Sequence, residues 1–81
     1  MNLSLTILQI LSESGGYLVP VGTLKASVRL RRNPAPTDDE ILMALSDLES
    51  RGQALRVRNE DTGDKWQTTD DGAARLVKAG I

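Results

Sequence analysis

Cysteine and histidine are both missing from this 81-residue chain. Without thiols there is no disulfide framework and no thiolate metal site. Without imidazole the commonest general base is gone, and with both residues absent so is every usual zinc constellation. Phenylalanine is missing too, and Trp66 and Tyr17 are the only aromatics. Leu, Ile and Val must therefore carry a single small core almost unaided. No apolar run approaches the length that spans a bilayer, and Met1-Asn2-Leu3-Ser4-Leu5-Thr6 lacks the basic opening of a secretory signal. A soluble, cytoplasmic chain is the expectation. An excess of positive charge is also lacking. The formal net charge is −1, whereas non-specific nucleic-acid binders draw most of their affinity from a basic balance.

What is present is a clear order of elements. Leu3, Ile7, Leu8, Ile10 and Leu11 recur at helical spacing, so 3–13 reads as a first helix that Ser14-Gly15-Gly16 closes. Tyr17-Leu18-Val19 suits one small strand. Pro20 stands where a second helix can begin, and Val21, Leu24 and Val28 share a face through Arg31. Asn33-Pro34-Ala35-Pro36 ends that helix, because proline lacks the amide donor and biases its predecessor away from helical angles.

The third helix, 38–51, has the clearest start. Thr37-Asp38-Asp39-Glu40 is a capping box, and its acids suit the positive end of the helix dipole. Ile41, Leu42, Leu45 and Leu48 make a core-facing stripe, and Arg51-Gly52 supplies the stop. The period then changes to two. Leu55 and Val57 alternate with Ala54, Arg56 and Arg58, as in a half-buried strand, and Asn59 to Asp64 forms a hairpin tip. Trp66 and Thr68 return on the partner strand. Thr68 or Thr69 can cap a last helix through Lys78, with Ala73, Leu76 and Val77 inward. No repeat or linker divides the chain, so residues 1–81 are expected to form one α+β domain.

Glu40-Ile41 through Ala44-Leu45, Leu48-Glu49 and Arg51-Gly52 resembles the recognition-helix segment of small prokaryotic winged-helix regulators. Trp66-Gln67-Thr68-Thr69-Asp70-Asp71-Gly72 is similar to the strand-to-helix step that follows their wing. The resemblance to the winged helix-turn-helix superfamily covers nearly the whole chain. It implies a helix-turn-helix over 21–51 and a two-stranded wing over 53–69, followed by a short C-terminal helix. In such families the third helix enters the major groove and the wing touches the adjacent backbone. The implied function is a small DNA-associated regulator, acting as a homodimer on double-stranded DNA.

The charges divide between two partner classes. Lys25, Arg29, Arg31 and Arg32 face only Glu13 within residues 1–33, and Arg56 and Arg58 project from one side of a wing strand near Lys65. These six cations of helix two and the wing are the candidate contacts to a DNA backbone. Met43, Ser46 and Ser50 are the candidate base-edge or shape readers. Against this, Asp38, Asp39, Glu40, Asp47 and Glu49 outnumber Arg51 between Pro34 and Gly52. Capping explains the first three, and a solvated face accounts for the other two. The alternative is a protein-interaction module, or a nucleic-acid mimic, that docks a basic protein on Asp39, Asp47 and Glu49. Trp66 is either a base-stacking platform or a core anchor.

Catalysis finds no constellation. Asp38-Asp39-Glu40 diverge around a helix, no base–nucleophile spacing stands out, and Gly15-Gly16 and Gly63 read as turns rather than a phosphate loop. Neither enzyme activity, a cofactor nor a metal is expected.

Overall fold

In the computed structural model, which describes residues 2–81, Asn2 opens the first helix by accepting the Leu5 amide at 2.8 Å. This helix, α1 (Leu3–Glu13), buries Ile7, Leu8, Ile10 and Leu11 and touches every other helix as well as the sheet. A two-residue strand β1 (Val19–Pro20) leads directly into α2 (Val21–Arg31), which buries Leu24 and Val28. The Val21 amide donates to the Asp64 carbonyl at 2.9 Å, tying the start of α2 to the approach to a later strand.

Helix α3 (Asp38–Ser50) begins at the capping box expected for it. Thr37 Oγ1 accepts the Glu40 amide at 3.2 Å, and Glu40 Oε1 accepts the Thr37 amide at 3.1 Å. Its end is a Schellman closure, with Gln53 N–H donating to Leu48 O and Gly52 N–H to Glu49 O. Gly52 sits at φ +72°, where a Cβ would be strained, so the glycine is what lets the chain turn sharply into β2 (Ala54–Val57). The hairpin then returns as β3 (Lys65–Thr68), and Thr69 caps α4 (Asp70–Lys78) by accepting the Gly72 amide at 3.2 Å.

The sheet has three antiparallel strands in the order β1-β3-β2, so the hairpin expected as a two-stranded wing gains β1 as a third strand. Val19 lies opposite Trp66, and Trp66 lies opposite Arg56. These residues share the inner face, against α1 and α3, and that sets the parity of β2. Ala54 is buried and Arg56 half-buried, while Leu55 and Val57 are exposed. The expected alternation is present but inverted. A strand pattern fixes which residues share a face, not which face is inner. Here Trp66 claims the inner face, and the guanidinium of Arg56 lies over its ring, 5.9 Å from the ring centroid.

Three further expectations fail for a related reason. Leu42 is 44% exposed, because the buried row of α3 is Ile41, Leu45 and Leu48, with Ala44 rather than Leu42 packed beside it. In α4 the buried residues are Gly72 and Leu76, which leaves Ala73 exposed and Val77 76% exposed. The core is one cluster of aliphatic residues around α1, with Trp66 as its only aromatic member. No helix among the described residues is long and apolar enough to cross a membrane.

Candidate nucleic-acid interface

Three longitudinal rows of helix α3 matter here. Ile41, Leu45 and Leu48 point inward. Asp39, Met43, Ser46 and Ser50, spaced by four, three and four residues, form an outward row, and all four are exposed. Met43 is 73% exposed. The three residues expected to read base edges therefore do share one solvent-facing stripe. Between these rows lies a flank that holds Asp38, Leu42 and Glu49. Asp38 and Glu49 are eleven residues apart, which places them about 20° from one another around the axis and about 16 Å apart along it.

That flank is where the cations gather. Lys25 Nζ lies 3.8 Å from Asp38, and Arg29 also pairs with Asp38. The two cations stand one helical turn apart on α2, so a single carboxylate at the start of α3 can receive both. Farther along, Arg56 Nε reaches Glu49 at 3.1 Å, and its Nη1 lies 3.7 Å from Asp64 at the base of the hairpin. Cations from α2 and β2 thus meet along one side of α3. Each, however, arrives against a carboxylate. Lys25, Arg29 and Arg56 face Asp38, Glu49 and Asp64, so this flank carries no net charge.

The rest of the expected backbone-contact set separates from it. Arg31 turns to α1, where its two Nη groups grip Glu13, one at 3.1 Å. The hydrogen bond from Arg31 holds the Glu13 carboxyl below its ordinary value of 4.5, against a smaller opposing effect of desolvation. The same pairing raises the guanidinium pKa. Arg32 donates to the Thr6 hydroxyl at 3.0 Å, also on α1. Both arginines serve the α1–α2 junction rather than the α3 flank. Arg58 lies just past β2, exposed and without an ion pair among the described residues.

The acidic set proposed for protein docking is likewise reduced. Asp47 pairs with Arg51 at 3.1 Å, one turn away, and Glu49 is taken by Arg56. Asp39 alone of the three has no ion pair among the described residues. Trp66 is 3% exposed, so it is a core anchor and not an open stacking platform. Its Nε1 has no acceptor among the described residues.

Asp38 and Asp64 were missed as partners of the cations. Their pairing depends on how α2 meets the start of α3 and on how the hairpin closes against it, and no local spacing announces it. Arg51, Arg75 and Lys78 were also passed over, although Arg75 and Lys78 stand at i and i+3 on α4 and line one cleft with Arg51. Among the described residues no group of three or more carboxylate, imidazole or thiolate side chains is placed to hold a metal ion. No family model, curated protein or solved structure matches this chain.

Proposed function

We propose that this chain is a winged-helix domain of a DNA-associated regulator, with α2 and α3 as its helix-turn-helix and the β2–β3 hairpin as its wing. The observation that carries this reading is the gathering of Lys25, Arg29 and Arg56 along one flank of α3, beside the outward row of Met43, Ser46 and Ser50. Cations beside an exposed helix are the arrangement a duplex needs. Phosphates meet the flank while the outward row faces the groove. Met43 and the two serines offer shape contact and hydroxyl donors, and Asp39 can accept chiefly from a cytosine amino group. Arg58 extends the contact to the wing.

The paired carboxylates set the strength of that contact. Exposed ion pairs are individually weak, about 0–1 kcal/mol, so a phosphate can displace them. The displaced carboxylate nevertheless stays nearby, and the net field on the phosphate remains small. Binding is therefore modest and strongly salt-dependent. Fluorescence anisotropy with mixed duplex DNA at low salt tests this. Arg29→Ala should weaken binding and flatten the salt slope, while Asp38→Asn should tighten it by uncovering Lys25 and Arg29. Absence of binding at low salt, for both the parent chain and Asp38→Asn, would sink the reading.

A second reading has its own support. The neutral flank, the exposed Leu42 and Met43, and Asp39, which has no ion pair among the described residues, together suit a protein surface that brings one apolar side chain and one cation. A second copy of the chain is one such partner. Sedimentation equilibrium of the parent against Met43→Asp reads it directly. A dimer lost in Met43→Asp, with no DNA binding, would favour this second reading over the first.

A further inference from the structure

On the side of α3 away from the cation-bearing flank, a cleft of about 300 Å³ lies between the end of α3 and the outer face of α4. It is lined by Arg51, Gln53, Asp71, Ala74, Arg75 and Lys78. The α4 contributors stand at i, i+3, i+4 and i+7, one helical face, and three of the lining side chains are cations against two carboxylates, Asp71 in the lining and Asp47, which pairs with Arg51 at its edge. This differs from the α3 flank, where cations and carboxylates balance.

The donors here are largely uncommitted. Arg51 meets Asp47 through Nε, and its Nη groups make no other bond among the described residues. Arg75 donates from Nη1 to Gln53 Oε1 at 2.8 Å and has no carboxylate partner among the described residues. Lys78 has neither hydrogen bond nor ion pair there. Guanidinium and ammonium groups converging from two elements match the tetrahedral oxygens of phosphate.

The walls are fixed by backbone contacts. Gln53 closes α3 through its amide, and its carbonyl accepts the Thr69 amide at 3.2 Å. Gly72 lies so close that a Cβ there would stand 2.2 Å from the Gln53 carbonyl oxygen. The spacing between Arg51 and the Arg75–Lys78 turn is thus set by packing, which reduces the ordering needed to bind.

We infer that this cleft is an oxyanion site for a phosphate group, either a free phosphate or one in a nucleic-acid backbone. The inference is independent of the duplex reading for α3. The test is titration of ¹⁵N-labelled full chain with pyrophosphate at constant ionic strength, followed by amide chemical shifts. Saturable shifts at Gln53, Ala74, Arg75 and Lys78, with a Kd on the order of 1 mM, are expected. Lys78→Gln, at an exposed position, should weaken binding severalfold. The double variant Arg75→Gln/Lys78→Gln should abolish it, and Asp71→Asn should tighten it.

A short duplex separates the two sources. Shifts at the same amides, weakened by Lys78→Gln, assign the site to a nucleic-acid backbone, whereas a response to pyrophosphate alone assigns it to free phosphate. Duplex contact through α3 is read instead at the Met43 and Ser46 amides and survives Lys78→Gln, so the two proposals fail separately. Shifts spread evenly over Arg29, Arg56 and Arg58, or a Kd unchanged in Lys78→Gln, would overturn the site.

Discussion

Trp66 packs in the core with no acceptor for its indole nitrogen among the described residues, and this makes it an unusual position to alter. Truncation to Ala should cost about 3–5 kcal/mol, the range for removing a large buried aromatic. Trp66→Phe should cost much less, since it removes volume and that donor together, and the loss of the donor offsets part of the cavity. Urea denaturation of the two variants measures the gap. At Glu13 the lowered carboxyl pKa fixes a sign. A depressed folded-state value means the Arg31 contact stabilises fully above the ordinary glutamate value of 4.5 and is lost as pH falls through the folded value. NMR titration should therefore find Glu13 below the ordinary midpoint in the parent and close to it in Arg31→Gln. The matching loss of stability on acidification should shrink in the variant. Neither the setting of the Trp66 nitrogen nor the choice of Glu13 by Arg31 was legible in the sequence, because each depends on what tertiary packing brings near.

Among the elements, helix limits were the most legible. Thr37 caps as its capping box dictates, and Thr69 is the one of the two candidate threonines that caps α4. Gly52 ends α3 for a backbone reason visible in the chain itself, whereas the Asn2 cap of α1 was not read. Facing was less so. Leu42, Leu55, Val57 and Val77 are apolar at plausible core positions, yet all are exposed, because which side of an element is covered depends on neighbours that its own pattern does not name. Gly72 is the converse. It reads as a helix residue of poor propensity, but an added methyl group would meet Gln53 O at 2.2 Å and Thr68 Oγ1 at 2.5 Å. Gly72→Ala should therefore destabilise the domain by about 1–3 kcal/mol, the cost of overpacking, despite the better helix propensity of alanine. Thermal unfolding would check it, and a neutral or stabilising result would mean α4 can shift freely.

For the whole molecule, the ion pairs and the core differ in weight. The pairs join α1 to α2, α2 to α3 and α3 to β2, so they sit at three of the junctions between elements. They are partly exposed, and each is worth about 0–1 kcal/mol. Raising salt to about 1 M, where the screening length falls to about 3 Å, should lower stability only slightly. Leu45→Ala, in the wholly buried row, should cost about 2–5 kcal/mol. Denaturation midpoints at low and high salt, beside that variant, measure the ratio. The candidate interface follows the same division. Its residue types could be read from the sequence, and its outward row from helical spacing. The cancellation of charge on the α3 flank could not, since it depends on how α2 meets the start of α3 and on how the hairpin closes against it.

The peptide carbonyl of Gln53 gives three elements of the C-terminal half a common fate. It receives the Thr69 amide and lies against Gly72, while the amide of the same residue closes α3. The end of one helix, the last strand and the start of another helix are therefore keyed to one residue. Opening any of them exposes the others, so the C-terminal half of the molecule yields as a single cooperative unit rather than fraying from its end.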